Sequence, residues 1–505
     1  MNLANIITRH AAASLALVQG DLRVTFGELR ADVTNARTAL AKRGIGAGDR
    51  VALLMTASPE FVVGYLAVLG LGAVAVPLNP QSPPAELETE LEAVHPSLVL
   101  FDPADEAAAL RLAELGHEVA SVTSLEGDAA TSSDGADLDR QHEAGIVDRH
   151  ADDPAALLFT SGTAGFPKAA ILTHGSLLAN IEQMELRVGT AATSEDVALL
   201  LLPPFHIFGL NAVLGVQLFV GGVAVLVERF DPATVLALAK AEGVTIIPAV
   251  PPAFAALADL PEATGDELST VRLAVSGAAP LPLEVAERFE DKFGIPLWQG
   301  YGLTEASPAV TFPDITQRHD ASSVGMPLPG VELRVVDADG EQVEPGDPGE
   351  IWVRGPNIFA GYYEDKDATA AVLDSSGWLH TGDIAIMGDQ GELSIVDRHK
   401  DLIIVSGFNV FPAEVERVLS THPAVAEAAV IGVPDTAHGE SVRAFVVPAA
   451  ELWPEGAAEP ERLSESELVQ HCARFLARYK CPSKVNFVRE LPRSVHGKAL
   501  RRALQ

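Results

Sequence analysis

Two hydrophobic patterns alternate along the first part of the chain. Helix-like spacing of apolar residues gives way to short continuous apolar runs such as Arg50–Leu54 and Leu98–Leu100. Short continuous runs are typical of strands that are buried on both faces of a sheet. Phe61–Pro80 shows a helix-like pattern, a glycine break and an apolar strand, and Val197–Val227 repeats this plan. We therefore expect an α/β fold with two similar halves, each built on a parallel sheet.

The segment Val197–Val227 also raises the question of a membrane span. It contains no Asp, Glu, Lys or Arg, and it is long enough to cross a bilayer. Prolines, polar residues and the Gly221-Gly222 pair interrupt it, however, and spanning segments rarely carry so many breaks. A buried helix followed by a buried strand at Val223–Val227 is the better interpretation, so we expect no transmembrane segment.

The later part of the chain changes character. Val324–Val396 is rich in alternating, strand-like runs separated by turns, and the last hundred residues have the pattern of a compact α+β module. A capping box at Ser464–Glu467 predicts the start of a helix in that module. Three basic residues are expected at the end of this helix, where they would favour its dipole: Arg474, Arg478 and Lys480.

Composition narrows the function classes. The formal net charge of the 505 residues is −34, which argues against general nucleic-acid binding. Beyond His471, in contrast, nine Lys and Arg residues stand against the single acid Glu490, which favours an anionic cofactor over a merely solvated face. Cys472 and Cys481 are the only cysteines, so no disulfide or metal framework is indicated. With no secretion signal evident, we expect a cytoplasmic protein.

Residues 157–168, Leu-Leu-Phe-Thr-Ser-Gly-Thr-Ala-Gly-Phe-Pro-Lys, carry the first candidate chemistry. A buried strand is expected to end there in a loop of small residues that can present N–H groups and hydroxyls to phosphate. The spacing is not the Walker form, because Lys168 follows Phe-Pro and leads into a second apolar run. From these residues alone, a phosphate loop and an ordinary tight connection are equally good interpretations.

This loop, followed by Leu-Thr-His at 172–174, resembles the phosphate loop of the adenylate-forming superfamily. That superfamily holds acyl-CoA synthetases, peptide-synthetase adenylation domains and luciferases. Further blocks follow in the superfamily's order, so the resemblance spans nearly the whole chain. They are the sequences at 202–209, 276–280, 300–305, 377–383 with 397–401, and 491–498. The resemblance implies a large N-terminal domain of two α/β subdomains and a β-barrel-like subdomain, followed by a small mobile α+β domain.

The resemblance also implies which residues bind ATP. The phosphates would lie against residues of the first block: Thr160, Ser161, Gly162, Thr163 and Lys168. The purine would lie on small residues and stack on a tyrosine: Gly277, Ala278, Ala279 and Tyr301. Asp383 would accept hydrogen bonds from the ribose hydroxyls, assisted by Arg398. Glu305 would hold Mg²⁺ through oxygen, the ligand atom that this hard cation prefers.

Four residues are expected to act in catalysis: Lys498, His206, Thr304 and Glu305. Thr304 would donate to the α-phosphate, and Lys498 matches the superfamily's catalytic lysine. His206 would lie beside the acyl carboxylate, although a lone histidine among apolar residues is more often an ordinary core residue. Gly407 is expected to line the tunnel for the pantetheine arm of CoA. Two departures from the superfamily's wording, Ala164 and Ala169, remove no charge, so activity is expected to survive.

The resulting hypothesis is an AMP-forming fatty acid–CoA ligase. It would adenylate a carboxylic acid with ATP, release pyrophosphate and then form the CoA thioester. An adenylation domain at 1–397, a hinge at 398–401 that pivots near Lys400, and a mobile domain at 402–505 are expected. Small molecules would be the partners; contact with a membrane surface and the choice between monomer and homodimer stay open.

Three alternatives remain. The first is an aryl or other small-acid CoA ligase, which shares every motif. The second is an acyl-AMP ligase, which would deliver its product to a carrier protein. The third is a non-catalytic sensor, and the charged residues retained here argue against it. For the acid, Gly302 is expected to leave the wall of the acyl channel open. The apolar residues near Phe208, Val250, Phe254 and Val275 are expected to line that channel. Both expectations favour acids of medium to long chain.

Overall fold

The computed structural model describes residues 1–125, 145–161, 167–187, 191–316, 320–398, 403–449, 453, 463–492 and 504. The chain divides into two compact units. The larger unit comprises Met1–Pro80, Val94–Leu158 and Ala169–Asp397. The smaller unit comprises Gln81–Ala93, Phe159–Lys168 and Arg398–Gln505.

A seven-stranded sheet forms one half of the larger unit. Its strands lie in the order Leu297–Gln299, Leu273–Ser276, Ile246–Ala249, Val197–Leu200, Val223–Leu226, Leu15–Gln19 and Leu22–Thr25. The first six are parallel, and the last pairs antiparallel with its neighbour. Most of the residues in the parallel strands are buried, which accounts for their continuous apolar sequence.

A six-stranded sheet forms the other half. Its order is Val119–Ser121, Leu98–Phe101, Arg50–Leu54, Val74–Leu78, Pro154–Ser161 and Pro167–Thr173, and the first five strands pair in parallel. The two predicted α/β halves, each with a parallel sheet, are therefore confirmed. The last two strands flank the predicted phosphate loop, so this loop joins strand to strand, as expected from its departure from the Walker form.

Helices cover these sheets. Their bounds are Phe26–Lys42, Pro59–Gly70, Glu106–Glu114, His174–Glu185, Val216–Val220, Pro232–Glu242, Pro251–Asp259, Leu283–Phe293 and Lys366–Ala370. Short 3₁₀ segments lie at Leu3–Ile7, Pro103–Asp105, Asp266–Leu268 and Thr304–Ala306. Side-chain caps fix several starts: Thr25 and Glu28 form a reciprocal capping box, and Ser58 accepts a hydrogen bond from the N–H of Phe61.

The apolar segment Val197–Val227 folds as predicted. A π-helical turn at Phe208–Gly215 continues into the helix Val216–Val220, the chain turns at Gly221, and the strand Val223–Leu226 follows. Gln217 and Asn211 are buried within it. Among the described residues, no helix is both long and apolar enough to cross a membrane.

Antiparallel strands complete the larger unit. A short sheet contains Tyr301–Gly302, Ala309–Phe312 and Met326–Pro327, and a four-stranded sheet contains Glu332–Val336, Pro348–Arg354, Leu379–Met387 and Leu393–Arg398. Exposed and buried positions alternate along Pro348–Arg354, as the alternating sequence predicted. The predicted α/β fold with a β-rich third part is confirmed.

The smaller unit is an α+β module. Its sheet has the order Phe408–Val410, Ile403–Val405, Gly439–Pro448 and Val425–Asp435, with Lys484–Phe487 paired to the third of these strands. Helices lie at Pro412–Ser420 and Glu465–Cys472, with a 3₁₀ turn at Arg478–Lys480. Most of the helix Pro84–Val94 also belongs to this unit.

One prediction about the smaller unit is wrong. The helix does start at Ser464, which accepts a hydrogen bond from the N–H of Glu467, but it ends at Cys472. Arg474, Arg478 and Lys480 therefore lie beyond its last turn. Lys480 is buried and pairs with Glu86 and Glu414, because carboxylates from other helices are available to it. It does not belong to a free basic surface.

Candidate functional site

The carboxyl edge of the seven-stranded sheet gathers most of the predicted site residues of the larger unit. Four neighbouring parallel strands end there, at Leu200, Ala249, Ser276 and Gln299. The residues that follow these strand ends are His206, Val250, Gly277–Ala279 and Tyr301. Ligands of open α/β sheets bind outside the carboxyl ends of the strands, so this edge is the candidate active site.

His206 follows the first of these strands on a tight turn. Its backbone N–H donates to the carbonyl of Pro203 at 3.0 Å, and its own carbonyl accepts from Leu210 in the π-helical turn. The N–H of Phe208 donates to Nδ1 of His206 at 3.2 Å, which assigns the ring proton to Nε2. Burial lowers the pKa of His206 to about 4, so the ring is neutral near pH 7. His206 can therefore donate one hydrogen bond from Nε2.

Small residues are required at Gly277. A Cβ on Gly277 would lie 2.8 Å from Cε1 of Phe208, so the Phe208 ring packs directly against this backbone. The Gly277 N–H donates to Ala249 at 3.1 Å, which fixes the turn to the neighbouring strand. Ala278 has a positive φ of 64°. The Phe208 ring therefore fills the space beside Gly277, and binding of a purine at 277–279 stays a prediction.

Tyr301 and Asp383 are brought together although they are far apart in the sequence. The Tyr301 hydroxyl donates to Oδ2 of Asp383 at 2.7 Å. Asp383 lies in the strand Leu379–Met387, and its N–H donates to the hydroxyl of Thr381 at 3.1 Å. The predicted purine-stacking and ribose-binding residues therefore form one hydrogen-bonded pair.

Thr304 and Glu305 lie together in the 3₁₀ turn Thr304–Ala306. Oε1 of Glu305 accepts a hydrogen bond from the Tyr362 hydroxyl at 2.6 Å, and its carbonyl accepts from the N–H of Phe359 at 2.9 Å. Tyr362 was not foreseen from the sequence. The string Gly-Tyr-Tyr at 361–363 is an unremarkable turn sequence, and only the fold brings it to Glu305.

Three buried asparagines hold the turn that carries Glu305, and sequence reasoning missed this role too. Asn180 exchanges two hydrogen bonds with the backbone of Ala309, at 2.8 and 3.0 Å. Asn211 donates to the carbonyl of Ser307 at 2.7 Å, and Asn357 donates to that of Ala306 at 2.9 Å. Buried amides satisfied in this way fix the backbone, because breaking any of them leaves a polar group unpaired. A polar residue inside an apolar run, such as Asn211, was the available signal.

The expected role of Gly302 in an acyl channel is wrong. Gly302 pairs with Ala309 in the short antiparallel sheet, at a register irregularity. A Cβ at this position would lie 2.2 Å from the carbonyl oxygen of Pro308. The missing side chain therefore allows close packing of two backbone segments, and it does not enlarge a channel.

Phe254 also differs from its expected place on a channel wall. It is fully buried, and its ring packs edge-on against Phe289 at 5.0 Å in the hydrophobic core. Val250 and Val275 are buried as well, whereas Phe208 is partly exposed. Of the four predicted wall residues, Phe208 is thus the one with solvent-accessible surface beyond the core.

The remaining predicted residues belong to the smaller unit. Thr160 donates from its hydroxyl to the carbonyl of Lys168 at 3.4 Å, across the base of the predicted phosphate loop. Ser161 ends its strand and Arg398 ends another, but their side chains lie outside the described part. Gly407 lies in the two-residue turn between Ile403–Val405 and Phe408–Val410. Gly162, Thr163, Lys400 and Lys498 lie outside the described residues.

Comparison with known families decides the identity of this fold and site. The family model of the AMP-binding enzymes matches residues 6–363, and the model of the AMP-binding enzyme C-terminal domain matches residues 414–498. The chain belongs to the AMP-binding enzyme family. The predicted membership of the adenylate-forming superfamily is therefore confirmed, and with it the prediction of an acid–thiol ligase. Enzymes of this family use ATP and CoA.

Relatives of this AMP-binding enzyme cover nearly its whole length. The long-chain-fatty-acid–CoA ligase of Yersinia pestis is 37% identical and aligns with 99% of this chain and 92% of its own. The 4-coumarate–CoA ligase 2 of Oryza sativa subsp. japonica is 36% identical, with coverages of 95% and 87%. Among solved structures, the o-succinylbenzoate CoA synthetase of Bacillus subtilis has a TM-score of 0.86 at 32% identity, with coverages of 100% and 97%.

Proposed function

We propose that this AMP-binding enzyme is an ATP-dependent fatty acid–CoA ligase that acts on acids of medium to long chain. A carboxylate would attack the α-phosphate of ATP, which forms acyl-AMP and releases pyrophosphate. The CoA thiol would then displace AMP and form the thioester. The observation that carries this proposal is the convergence of His206, Gly277–Ala279 and Tyr301 at one sheet edge.

The described residues support the adenylation step through binding and orientation. His206 is neutral and carries its ring proton on Nε2. It can therefore donate one hydrogen bond to the attacking carboxylate or to a phosphate oxygen. Asp383 is held by the Tyr301 hydroxyl, and a carboxylate can accept hydrogen bonds from the two hydroxyls of a ribose. Preorganised donors and acceptors of this kind supply much of the rate in phosphoryl and adenylyl transfer.

Glu305 fits a magnesium ion that arrives with ATP. No group of three or more His, Cys, Asp or Glu residues suited to a metal exists among the described residues. Mg²⁺ in nucleotide sites is usually held by one or two carboxylates together with substrate phosphates and water. A single carboxylate on the turn Thr304–Ala306 matches that donor set. We therefore propose that Mg²⁺ binds together with ATP and that Glu305 is its ligand from the protein.

The choice of an aliphatic acid rests on apolar surroundings. Phe208 packs on Gly277 beside His206, and Val250 follows the adjacent strand, so the acid would meet apolar surface beyond its carboxylate. Each buried methylene stabilises a bound acid by about 0.8 kcal/mol. The fatty-acid ligase relative is consistent with this assignment, whereas the argument from Gly302 no longer supports it.

The roles of three further parts of the chain are proposed on sequence alone. Lys498 is assigned to adenylation, Gly407 to the pantetheine arm and residues 398–401 to the hinge between two working positions. The end of the adenylation domain at residue 397 and the start of the mobile domain at residue 402 are also proposed on sequence alone. A cytoplasmic location also stays a prediction.

The test is CoA-dependent release of AMP, measured as kcat/KM over a panel of acids from acetate to oleate that includes benzoate and 4-coumarate. We expect the largest values for acids of medium to long chain and values lower by orders of magnitude for acetate. A preference for the aryl acids would overturn the fatty-acid assignment but keep the ligase chemistry. Pyrophosphate exchange with no thioester, for any acid, would overturn the CoA ligase assignment.

An aryl-CoA ligase is the second candidate, because one specific observation favours it. The flat Phe208 ring lies against a glycine backbone, and such a surface can also pack against a planar aromatic acid. The 4-coumarate–CoA ligase relative matches this chain about as well as the fatty-acid ligase does. The same panel separates the two candidates.

A further inference from the structure

Tyr362 contacts two parts of the candidate site at once. Its backbone forms an antiparallel bridge with Ala170, in the strand that follows the predicted phosphate loop. The neighbouring hydrogen bonds are short and regular. Ile171 donates to Gly361 at 2.9 Å, Ala360 donates to Ile171 at 3.0 Å, and Tyr363 donates to Ala169 at 2.8 Å. The backbone at 360–363 is therefore fixed to this strand.

The side chain of Tyr362 points to the other part. Its hydroxyl donates to Oε1 of Glu305 at 2.6 Å, a length typical of a hydrogen bond to a charged carboxylate. The ring packs edge-on against Phe359 at 5.0 Å, and the N–H of Phe359 donates to the carbonyl of Glu305. The segment 359–362 thus holds Glu305 through both its backbone and its side chain.

This hydroxyl keeps its proton. An ionised carboxylate only accepts hydrogen bonds, so the Tyr362 hydroxyl is the donor in its contact with Glu305. One oxygen of Glu305 is engaged by this donor, and a carboxylate held in this way loses less orientational freedom when it binds a cation.

We propose that Tyr362 is a positioning residue, which orients Glu305 for the Mg²⁺ of ATP and ties that orientation to the strand leaving the phosphate loop. The inference rests on the proposed function, because it takes Glu305 as the ligand of the magnesium ion. Nothing in the sequence pattern around Tyr362 indicates this role. The role follows from one hydroxyl that reaches Glu305 and one backbone bridge to Ala170.

The test compares Tyr362→Phe, Glu305→Gln and the double variant. Two quantities are measured: the Mg²⁺ concentration that half-saturates ATP–pyrophosphate exchange, and the Mg²⁺ dependence of ATP binding by calorimetry without any acid. Loss of a charge-assisted hydrogen bond should raise the Mg²⁺ requirement of Tyr362→Phe by about 10-fold. The double variant should be no worse than Glu305→Gln, since Tyr362 acts through Glu305.

Tyr363→Phe is the matched control. It makes the same change one residue further on, where the centre of the ring lies 5.9 Å from the Arg50 guanidinium. Its Mg²⁺ dependence should equal that of the wild type. An unchanged Mg²⁺ curve for Tyr362→Phe, or additive losses in the double variant, would overturn the positioning role. If Glu305→Gln itself leaves both Mg²⁺ curves unchanged, the metal role of Glu305 in the proposed function fails instead.

Discussion

The hydroxyl of Tyr301 donates to Oδ2 of Asp383 at 2.7 Å, and this bond joins two antiparallel sheets of the larger unit. Tyr301 follows the parallel sheet directly, whereas Asp383 belongs to the β-rich part of the chain. The pair therefore fixes a predicted base-binding residue relative to a predicted ribose-binding residue. A mutation of either residue should weaken binding of the nucleotide more than binding of the acid.

Tyr301→Phe tests this coupling. It keeps the ring, and with it any stacking on the purine, but removes the donor that orients Asp383. Because hydrogen bonds to charged groups contribute about 1.5–3 kcal/mol, the KM for ATP should rise at least about tenfold. The KM for the acid should change little. Steady-state kinetics with each substrate varied in turn checks the result, and equal effects on both KM values would contradict the assignment.

His206 gives a prediction about pH. Because burial lowers its pKa to about 4, the ring stays neutral from pH 5 to 8 and contributes no titration step in that range. The pH profile of ATP–pyrophosphate exchange should therefore have the same shape in the wild type and in His206→Gln. The rate of the variant should be lower, by about 10²–10³-fold if one preorganised donor is lost. An inflection near pH 6.5 that disappears in the variant would show that His206 titrates during catalysis.

The sequence was sufficient for the elements whose residues act locally. Continuous apolar runs predicted the parallel strands, and the Gly221-Gly222 break placed the strand Val223–Leu226 correctly, because burial on two faces leaves a direct mark on composition. The motif at 300–305 likewise singled out Glu305 and Tyr301; the structure shows their hydrogen bonds, and their roles stay predictions. The sequence could not show which distant segments of the chain contact each other.

Tyr362, Asn180 and Asn357 illustrate the limit. Each reaches the turn at 304–309 from another part of the chain, and nothing in their own neighbourhoods distinguishes them from ordinary turn or helix residues. The prediction about Gly302 was wrong for the same reason. A missing side chain can mean open space or a close backbone neighbour, and only the position of Pro308 shows that the second is true here.

Gly302→Ile should consequently damage the fold and not shorten the acyl channel. Its Cβ would lie 2.2 Å from the Pro308 carbonyl oxygen, a backbone atom that cannot rotate away. Overpacking of this kind destabilises by about 1–3 kcal/mol or more. The midpoint of thermal unfolding should be lower than in the wild type, and the yield of soluble protein on expression should be poor. Gly46→Ala is the control, because its added Cβ would meet nothing within 4 Å.

A stable Gly302→Ile protein whose preference moves to short acids would restore the channel interpretation. The chain-length panel of the wild type is the reference for that comparison.

Lys498→Ala separates the two half-reactions. If this lysine neutralises charge on the adenylation transition state, its loss should slow acyl-AMP formation by about 10²–10³-fold or more. Conversion of supplied acyl-AMP and CoA to the thioester should continue. Quenched-flow or single-turnover assays of each step check this, and an equal loss in both steps would exclude a role confined to adenylation.

The smaller unit contains a buried cluster of charges that sequence patterns gave no reason to expect. Lys480 pairs with Glu86 and, at 3.0 Å, with Glu414, while the N–H of Ala477 donates to Glu86 at 2.6 Å. Glu90 is also buried, on the same helix as Glu86. Three ionised carboxylates around one ammonium group would leave uncompensated charge in the interior, so one carboxyl must hold a proton.

We expect Glu90 to hold this proton. Burial, together with the charges of Glu86 and Glu414 and against the opposing charge of Lys480, raises the pKa of Glu90 to about 8. In the unfolded chain the same carboxyl has its ordinary pKa of 4.5. The folded protein therefore binds one more proton than the unfolded chain between these two values. The stability that Glu90 contributes therefore falls as pH rises from about 4.5 to 8, with a slope of up to about 1.4 kcal/mol per pH unit.

Glu90→Gln should remove this pH dependence, because the amide cannot ionise and mimics the protonated carboxyl. Measured relative to the variant, the unfolding midpoint of the wild type should fall from pH 5 to pH 8, so that the variant is the more stable protein at pH 8. Glu92→Gln is the matched control on the same helix; its side chain is exposed, and its midpoint should follow the wild type. Parallel curves for Glu90→Gln and the wild type would mean that Glu90 is already ionised at neutral pH and that another group neutralises the cluster.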